Sequence, residues 1–260
     1  MAVNGGYRIF VHGGFANNAP SSSTWTPADL GGIQEYWYTG AGLAVTSGAA
    51  QSWTGQINGT VLTKNTGTGL TYTAADSDVN NKPTIAQNAA RNLATLENNN
   101  ITDFTPTVQR YLGVIGYTGT TSDSAYRMMG MTTTTGGAAS EVALFVSAPS
   151  NANKSGAYFF GGGAKTGAAT ADNQLFYSIV DITNASGTTG NLYYNSGTAT
   201  GVTGITVSDI DPFAIEAGGY DNGAGGFNWD GKLMEMFVCN GNITSDDLTN
   251  LSTYVTNTYS

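Results

Sequence analysis

Charge is what this sequence has least of. Lys, Arg, Asp and Glu make up 10% of its 260 residues, where an average soluble protein has roughly 25%. Basic residues are scarcest: nine, scattered singly, against eighteen acids, for a net charge of −9. No basic patch is available to neutralise phosphates, which argues against nucleic acid as a partner. The same sign argues against an anionic membrane surface. His12 is the single histidine, so neither a histidine-based metal site nor a serine–histidine–acid triad is expected. Within Val11-His-Gly-Gly it reads as a hydrogen-bonded structural side chain. Cys239 is the single cysteine, so no intrachain disulfide forms. Beside Phe237 and Val238 it reads as a small buried hydrophobe. No run of about 18 apolar residues occurs, so no membrane-spanning helix is expected. Met1-Ala-Val-Asn-Gly-Gly lacks the basic and apolar regions of a secretory signal.

In place of charge the chain carries Thr, Ser, Asn and Gly, which keep a surface soluble and favour turns over helix interiors. Such composition is common in secreted proteins and in virus surface proteins. Without an export signal it points to a particle released by lysis, such as a phage, or to a leader already removed. Period-two alternation marks half-buried strands: Val142, Leu144 and Val146 within Glu141–Ser147; Leu175, Tyr177 and Ile179 within Gln174–Asp181; Phe213, Ile215 and Ala217. Turn clusters stand between them at Asn151-Ala-Asn-Lys-Ser-Gly, Asn184-Ala-Ser-Gly, Asn195-Ser-Gly and Asp221-Asn-Gly-Ala-Gly-Gly. At the C-terminus, Thr244 reads as an N-cap with Asp246 and Asp247 in the first turn, and Leu248, Leu251 and Val255 form one apolar stripe, predicting a helix over Thr244–Tyr259. Residues 84–97 also carry helical spacing through Ile85, Ala89, Leu93 and Leu96, interrupted by Asn88 and Asn92. No linker divides the chain. Residues 1–26, with a strand-like Tyr7–His12 and a polar run Asn17–Thr24, read either as an attachment arm or as the first strand and a loop, with a sandwich over 27–260.

Phe227-Asn-Trp-Asp-Gly-Lys-Leu-Met-Glu-Met-Phe-Val-Cys-Asn, followed by Ile243-Thr-Ser-Asp-Asp-Leu and Tyr254, resembles the closing segment of LamG-like, concanavalin A-like domains. Ala28-Asp-Leu-Gly-Gly-Ile-Gln-Glu-Tyr-Trp-Tyr looks like that family's first strand, Gln51-Ser-Trp-Thr-Gly like its tryptophan loop, and Leu192-Tyr-Tyr-Asn-Ser-Gly like a strand ending in Asn-Gly. Asn80-Asn-Lys-Pro-Thr-Ile looks like the turn that opens a core strand, which turns the reading of residues 84–97 toward strand–bulge–strand. The resemblance spans roughly residues 28–259, is poor over 98–140, and departs where Tyr38 follows Trp37. It implies an all-β fold: a two-sheet antiparallel β-sandwich, a concanavalin A-like jelly roll, with a short C-terminal helix. It places Trp37 and Trp53 in the core. The family includes glycan binders, protein-binding modules and phage and bacterial surface proteins, so it constrains fold more than function.

A jelly-roll glycoside hydrolase of the retaining kind needs two carboxylates about 5–5.5 Å apart. The acid pairs at i, i+2 are Asp76/Asp78, in a loop, and Asp209/Asp211, before Pro212, and neither has a third acid at i+4. No catalytic residue is therefore expected, and the chain reads as no enzyme. Gly161-Gly-Gly-Ala-Lys-Thr lacks phosphate-loop spacing and reads as a hairpin turn. Asp209 and Asp211, with Asp221 and Asn222, are hard oxygen donors of the type calcium takes; capping of turns is the better account of them. No other cofactor is expected. Trp25 and Trp229, beside loops, are candidates for a stacking platform, and Tyr220 with Asp221 and Asn222 joins an aromatic to polar donors and acceptors, as sugar sites do. Glu235, in an apolar strand with Met234, Met236 and Val238 on one side and Leu233 and Phe237 on the other, needs a buried partner, expected to be an Arg or backbone amides. Two functions follow. One is a non-enzymatic display protein on a virion surface, partnered by capsid or tail proteins, forming a homo-oligomer in the assembly and touching host glycans. The alternative is a lectin-like, carbohydrate-binding module of an extracellular or cell-surface protein.

Overall fold

The computed structural model describes residues 24–64, 69–86, 95–119, 127–133, 142–148, 151–159, 162–207, 213–218 and 231–260. In chain order the first strands are β1 (Ile33–Tyr38), β2 (Leu43–Thr46), β3 (Ala49–Thr54), β4 (Val61–Lys64), β5 (Thr71–Asp76), β6 (Lys82–Ala86), β7 (Leu96–Ile101), β8 (Arg110–Thr118) and β9 (Arg127–Thr133). They are followed by β10 (Val142–Ala148), β11 (Asn151–Phe159), β12 (Gly163–Ala169), β13 (Leu175–Ile182), β14 (Thr189–Tyr194), β15 (Thr200–Thr203), β16 (Phe213–Ala217), β17 (Gly231–Asn240) and the helix α1 (Ser245–Tyr259).

The strand pairings are antiparallel and make two layers. The back sheet runs β15-β14-β13-β8-β17; β1 and β6 share the far side of β17, and β5 lies beyond β6. The front sheet runs β2-β3-β4-β7-β16-β9-β10-β11-β12. A single pairing, Ala49 opposite Thr71, hinges one to the other. This is the two-sheet antiparallel sandwich with a C-terminal helix that the sequence predicts.

Alternation decides which side chains meet. Leu112 and Val114 of β8 and Met236 and Val238 of β17 enter the space between the sheets. There they join Leu62, Leu96, Met131, Leu144 and Ile215 of the front layer. Trp37 and Trp53 are fully buried in this core. Their indole N–H groups donate to the Thr60 carbonyl at 3.1 Å and the Tyr38 carbonyl at 3.0 Å, so neither ring buries an unmet donor. The opposite face of the back sheet is apolar too. Tyr111, Ile115, Tyr177, Ile179, Phe237 and Cys239 pack under Leu248, Leu251, Val255 and Tyr259 of α1. Burying each such side chain contributes about 1.5–3 kcal/mol. Close packing sets one glycine: a Cβ on Gly113 would lie 2.1 Å from the Phe237 ring.

The helix starts where the sequence places it. The Thr244 hydroxyl accepts the Asp247 N–H at 3.1 Å, and the Asp247 carboxylate accepts the Thr244 N–H at 3.2 Å, a reciprocal cap. Residues 84–97 begin and end as strands, in β6 and β7, with 87–94 outside the described residues. Of Gly161–Thr166, residues 162–166 lie at the hairpin between β11 and β12 and in the start of β12, where Gly163 has φ +69°, and Gly161 lies outside the described residues.

Three readings are corrected. The cluster Asn151–Gly156 is not a turn but the first half of β11, where Asn153 takes φ +60° among register shifts against β10 and β12. Leu233 joins Met236 and Val238 in the core between the sheets and Met234 joins Phe237 on the helix side, because a bulge between Leu233 and Glu235 shifts the register of β17 and makes these two residues trade faces. The partners of Glu235 are neither Arg nor amides but three tyrosine hydroxyls. Residues 1–23, including the proposed arm, His12 and Tyr7–His12, lie outside the described residues.

Candidate functional site

Because α1 buries Leu248, Leu251, Val255 and Tyr259, its other faces are left to solvent. One outward stripe carries Asn250, Thr253, Tyr254 and Asn257, at i, i+3, i+4 and i+7, so these four stand in line. Trp25 is brought against this stripe by the chain that enters β1. Thr26 and Asp29 cap a short 3-10 turn over Pro27–Asp29, the Thr26 N–H donating to the Asp29 carboxylate at 2.8 Å. Pro27 and Leu30 are buried. The following Gly31 N–H reaches the Asp247 carboxylate at 3.4 Å, and the Gly31 carbonyl accepts the Tyr111 hydroxyl. The segment is thereby pinned to both the helix start and the back sheet.

The result is a groove of about 120 Å³ between the two segments, walled by Thr24, Trp25, Asn250, Tyr254, Asn257 and Thr258. Trp25 and Tyr254 meet edge to face, ring centres 6.0 Å apart at 70°. Several polar atoms here are already used. The Thr253 hydroxyl donates to the Thr249 carbonyl at 2.9 Å, and the Thr258 carbonyl accepts the Asn80 amide at 3.2 Å. The side-chain amides of Asn250 and Asn257 are exposed and have no hydrogen bond to any other described residue.

The Tyr254 hydroxyl is anchored beneath. It donates to Glu235 Oε1 at 2.8 Å; Tyr259 donates to the same oxygen, and Tyr36 donates to Oε2 at 2.7 Å. Glu235 is wholly buried, and that burial pushes its carboxyl up to about 7 against the pull of the three hydroxyls. All three phenols are held above their ordinary range, first by burial and then by the neighbouring carboxylate. The wall of the groove is thus tied to the back sheet through one carboxyl.

Of the residues the sequence singled out, Trp25 is in this groove. Tyr220, Asp221, Asn222 and Trp229, and the calcium candidates Asp209 and Asp211, lie outside the described residues. Among the described residues no group of three or more His, Cys, Asp and Glu side chains is placed to hold a metal ion. The Asp76/Asp78 pair faces no cleft: Lys232 reaches Asp76 at 2.7 Å and Asp78 at 2.6 Å. Burial raises the Asp76 carboxyl, but the bonds from Lys232, the Asp78 N–H and Thr84 outweigh it and the net direction is down. Cys239 is fully buried, which pushes its thiol up.

Sequence reasoning passed over Asn250, Tyr254 and Asn257, although their helical spacing was readable. It also passed over a cross-strand pair, Glu97 on β7 directly opposite Glu216 on β16. A second groove on the other flank of α1, about 230 Å³, includes Tyr177, Asn195 and Ser252. Tyr177 is only 2% exposed there, and the Asn195 side chain is spent on the Tyr177 N–H and the Leu175 carbonyl, so it offers neither ring nor amide.

No protein-family model and no curated protein matches the chain. Solved structures do match in fold. Domain 4 of AbnA, a GH43 extracellular arabinanase from Geobacillus stearothermophilus, in complex with arabinotriose, aligns with TM-score 0.55 at 11% identity, over 86% of this chain and 100% of that one. The botulinum neurotoxin serotype G binding domain aligns with TM-score 0.52 at 9% identity, over 85% of this chain and 50% of that one. Trypanosoma rangeli sialidase in complex with the inhibitor DANA aligns with TM-score 0.51 at 10% identity, over 85% of this chain but 32% of that one. At these identities the likeness is one of fold.

Proposed function

We propose that this chain is a carbohydrate-binding, lectin-like module that holds a glycan at the Trp25–Tyr254 groove and does not turn it over. The observation that carries the reading is the pairing of a half-buried aromatic wall with two uncommitted amides on one helical stripe. A sugar ring has an apolar C–H face and a rim of hydroxyls. Aromatic rings cover the face, while each Asn amide offers both a donor and an acceptor to the rim. Tyr254 and Trp25 are held by bonds and packing elsewhere, so little order has to be gained on binding. The AbnA domain with the same fold was solved with arabinotriose. That support is analogy, since fold does not fix function.

A surface or extracellular setting fits this reading. The virion display role, with its capsid or tail partners and homo-oligomer, rests on composition, the missing export signal and catalytic groups and the range of the resembled family, and gives way to it. The test is calorimetric titration of the purified chain with arabinotriose and a panel of other oligosaccharides. A shallow site is expected to bind with Kd on the order of 1 mM. Trp25→Ala and Asn257→Ala should each weaken binding about tenfold, with the Asn257 variant keeping the wild-type melting curve and the Trp25 variant melting lower but still cooperatively. Binding that survives both substitutions would place the site elsewhere.

A further inference from the structure

The groove is too small for a whole oligosaccharide. At about 120 Å³ it falls well below the roughly 300–1,000 Å³ of pockets that enclose a drug-sized ligand. A single ring fits, and the rest of a chain must lie outside. The residue that enters is therefore a chain end or a side branch.

The charges around the groove then decide what that residue is. None of its wall residues is charged at neutral pH: the one titratable side chain among them, the Tyr254 phenol, is held protonated and donates to Glu235. Residues 24–63 and 233–260, which supply the whole wall, contain no Lys or Arg. Acids border it instead. Asp246 is one helical turn before Asn250 on the same stripe, and exposed Asp29 caps the turn that follows Trp25. At the far end the Asn80 side chain sits on the Thr258 carbonyl. Lys232 is clamped between Asp76 and Asp78, and Lys82 stands opposite Asp76 in the strand register.

We infer that the Trp25–Tyr254 groove takes the uncharged terminal residue of a neutral glycan and rejects chains that end in a carboxylated sugar. This rests on the carbohydrate-binding reading above. A carboxylate entering the groove would lose water and meet two neutral amides and two nearby acids, with no cation among the described wall residues to replace its hydration. Hydroxyls lose nothing there, because the amides serve them as donor and acceptor alike.

The test is titration of the purified chain with matched pairs that differ in one terminal carboxylated residue. Lactose against sialyllactose is one pair, and neutral against uronate-ended plant oligosaccharides are others, each at low and high salt. The neutral partner should bind at least tenfold more tightly, and the gap should narrow as salt screens Asp29 and Asp246. Asn257→Lys should shrink or reverse the preference without changing the melting temperature. If a carboxyl-ended chain binds as tightly as its neutral partner, and Trp25→Ala abolishes both, the inference is overturned while carbohydrate binding stands. If no member of any pair binds, the inference and the function it rests on fall together.

Discussion

Among the described residues two glutamates, Glu35 and Glu235, are fully buried, and each is satisfied without a cation. Glu35 accepts the backbone N–H groups of Tyr36, Ile57, Asn58 and Thr60 at 2.9, 2.8, 3.1 and 3.0 Å, so one carboxylate organises the turn between β3 and β4. Glu235 uses tyrosine hydroxyls instead. For Glu35 the consequence is direct. Glu35→Ala leaves several buried amides without an acceptor, each costing about 1–3 kcal/mol before relaxation and water entry. A net loss of about 3 kcal/mol is expected in urea unfolding. Gly55→Ala should act through the same carboxylate, since a Cβ there would lie 2.1 Å from Glu35 Cδ. A variant as stable as wild type in either case would mean that the turn is held by something else. Little of this was readable in the sequence, because three of the four amides, those of Ile57, Asn58 and Thr60, come from a stretch whose approach to Glu35 depends on the closing of β3 against β4.

At the scale of elements, α1 was legible and its attachment was not. The Thr244 cap and the spacing of Leu248, Leu251 and Val255 depend on near neighbours only, which sequence displays directly. The sides of β17 on which Leu233 and Met234 lie depend on a bulge, and one extra residue reverses every inside–outside assignment beyond it. Residues 151–156 misled for a related reason: turn-forming Asn and Gly are spent on an irregular strand, because pairing on both sides outweighs local preference. The buried carboxyl under α1 gives a pH dependence with a definite sign. Its value of about 7 in the fold exceeds the ordinary 4.5, so between these values the folded chain binds more protons than the unfolded one. Stability is then fullest below about pH 4.5 and is lost as pH rises through 7, by about 3 kcal/mol at most. Asp181, which burial raises to about 6 against bonds from Asn242 and the Ile243 N–H, adds a slope of the same sign. Asp76, lowered by Lys232, opposes it only in acid. Urea unfolding from pH 5 to pH 8 should show the decline, and Glu235→Gln should remove most of it, leaving the part due to Asp181. An unchanged slope in that variant would refute the assignment. Through Tyr254 the same titration reaches the groove wall, so Trp25 fluorescence should follow it.

The whole molecule separates two faces that a sequence cannot tell apart. The groove lies on the outer side of the back sheet, over α1. The outer side of the front sheet carries a transverse row in strict register: Ser52, Thr63, Glu97, Glu216, Gly130 and Ala143. Leu96, Ile215 and Ala217 point into the core, so Glu97 and Glu216 point away from it. Their Cα atoms are cross-strand neighbours, which brings side chains within about 5.5 Å at Cβ. A retaining hydrolase needs two carboxyl groups about 5–5.5 Å apart, and facing acids of this kind come from strands far apart in the chain, where a search for acids at i and i+2 never looks. The pair is the strongest challenge to a binding-only protein. Its surroundings argue for structure instead: Glu216 is only 4% exposed, and both carboxylates have partners, Thr95 donating to Glu97 at 3.4 Å. Incubation with arabinan, xylan and sialylated substrates should therefore release no reducing sugar. Glu97→Gln and Glu216→Gln should leave glycan affinity at the Trp25 groove unchanged, because that groove stands on the opposite layer, while lowering stability by about 1–3 kcal/mol each. Turnover by the wild-type chain that disappears in both variants would make the front sheet an active site and the groove an accessory to it.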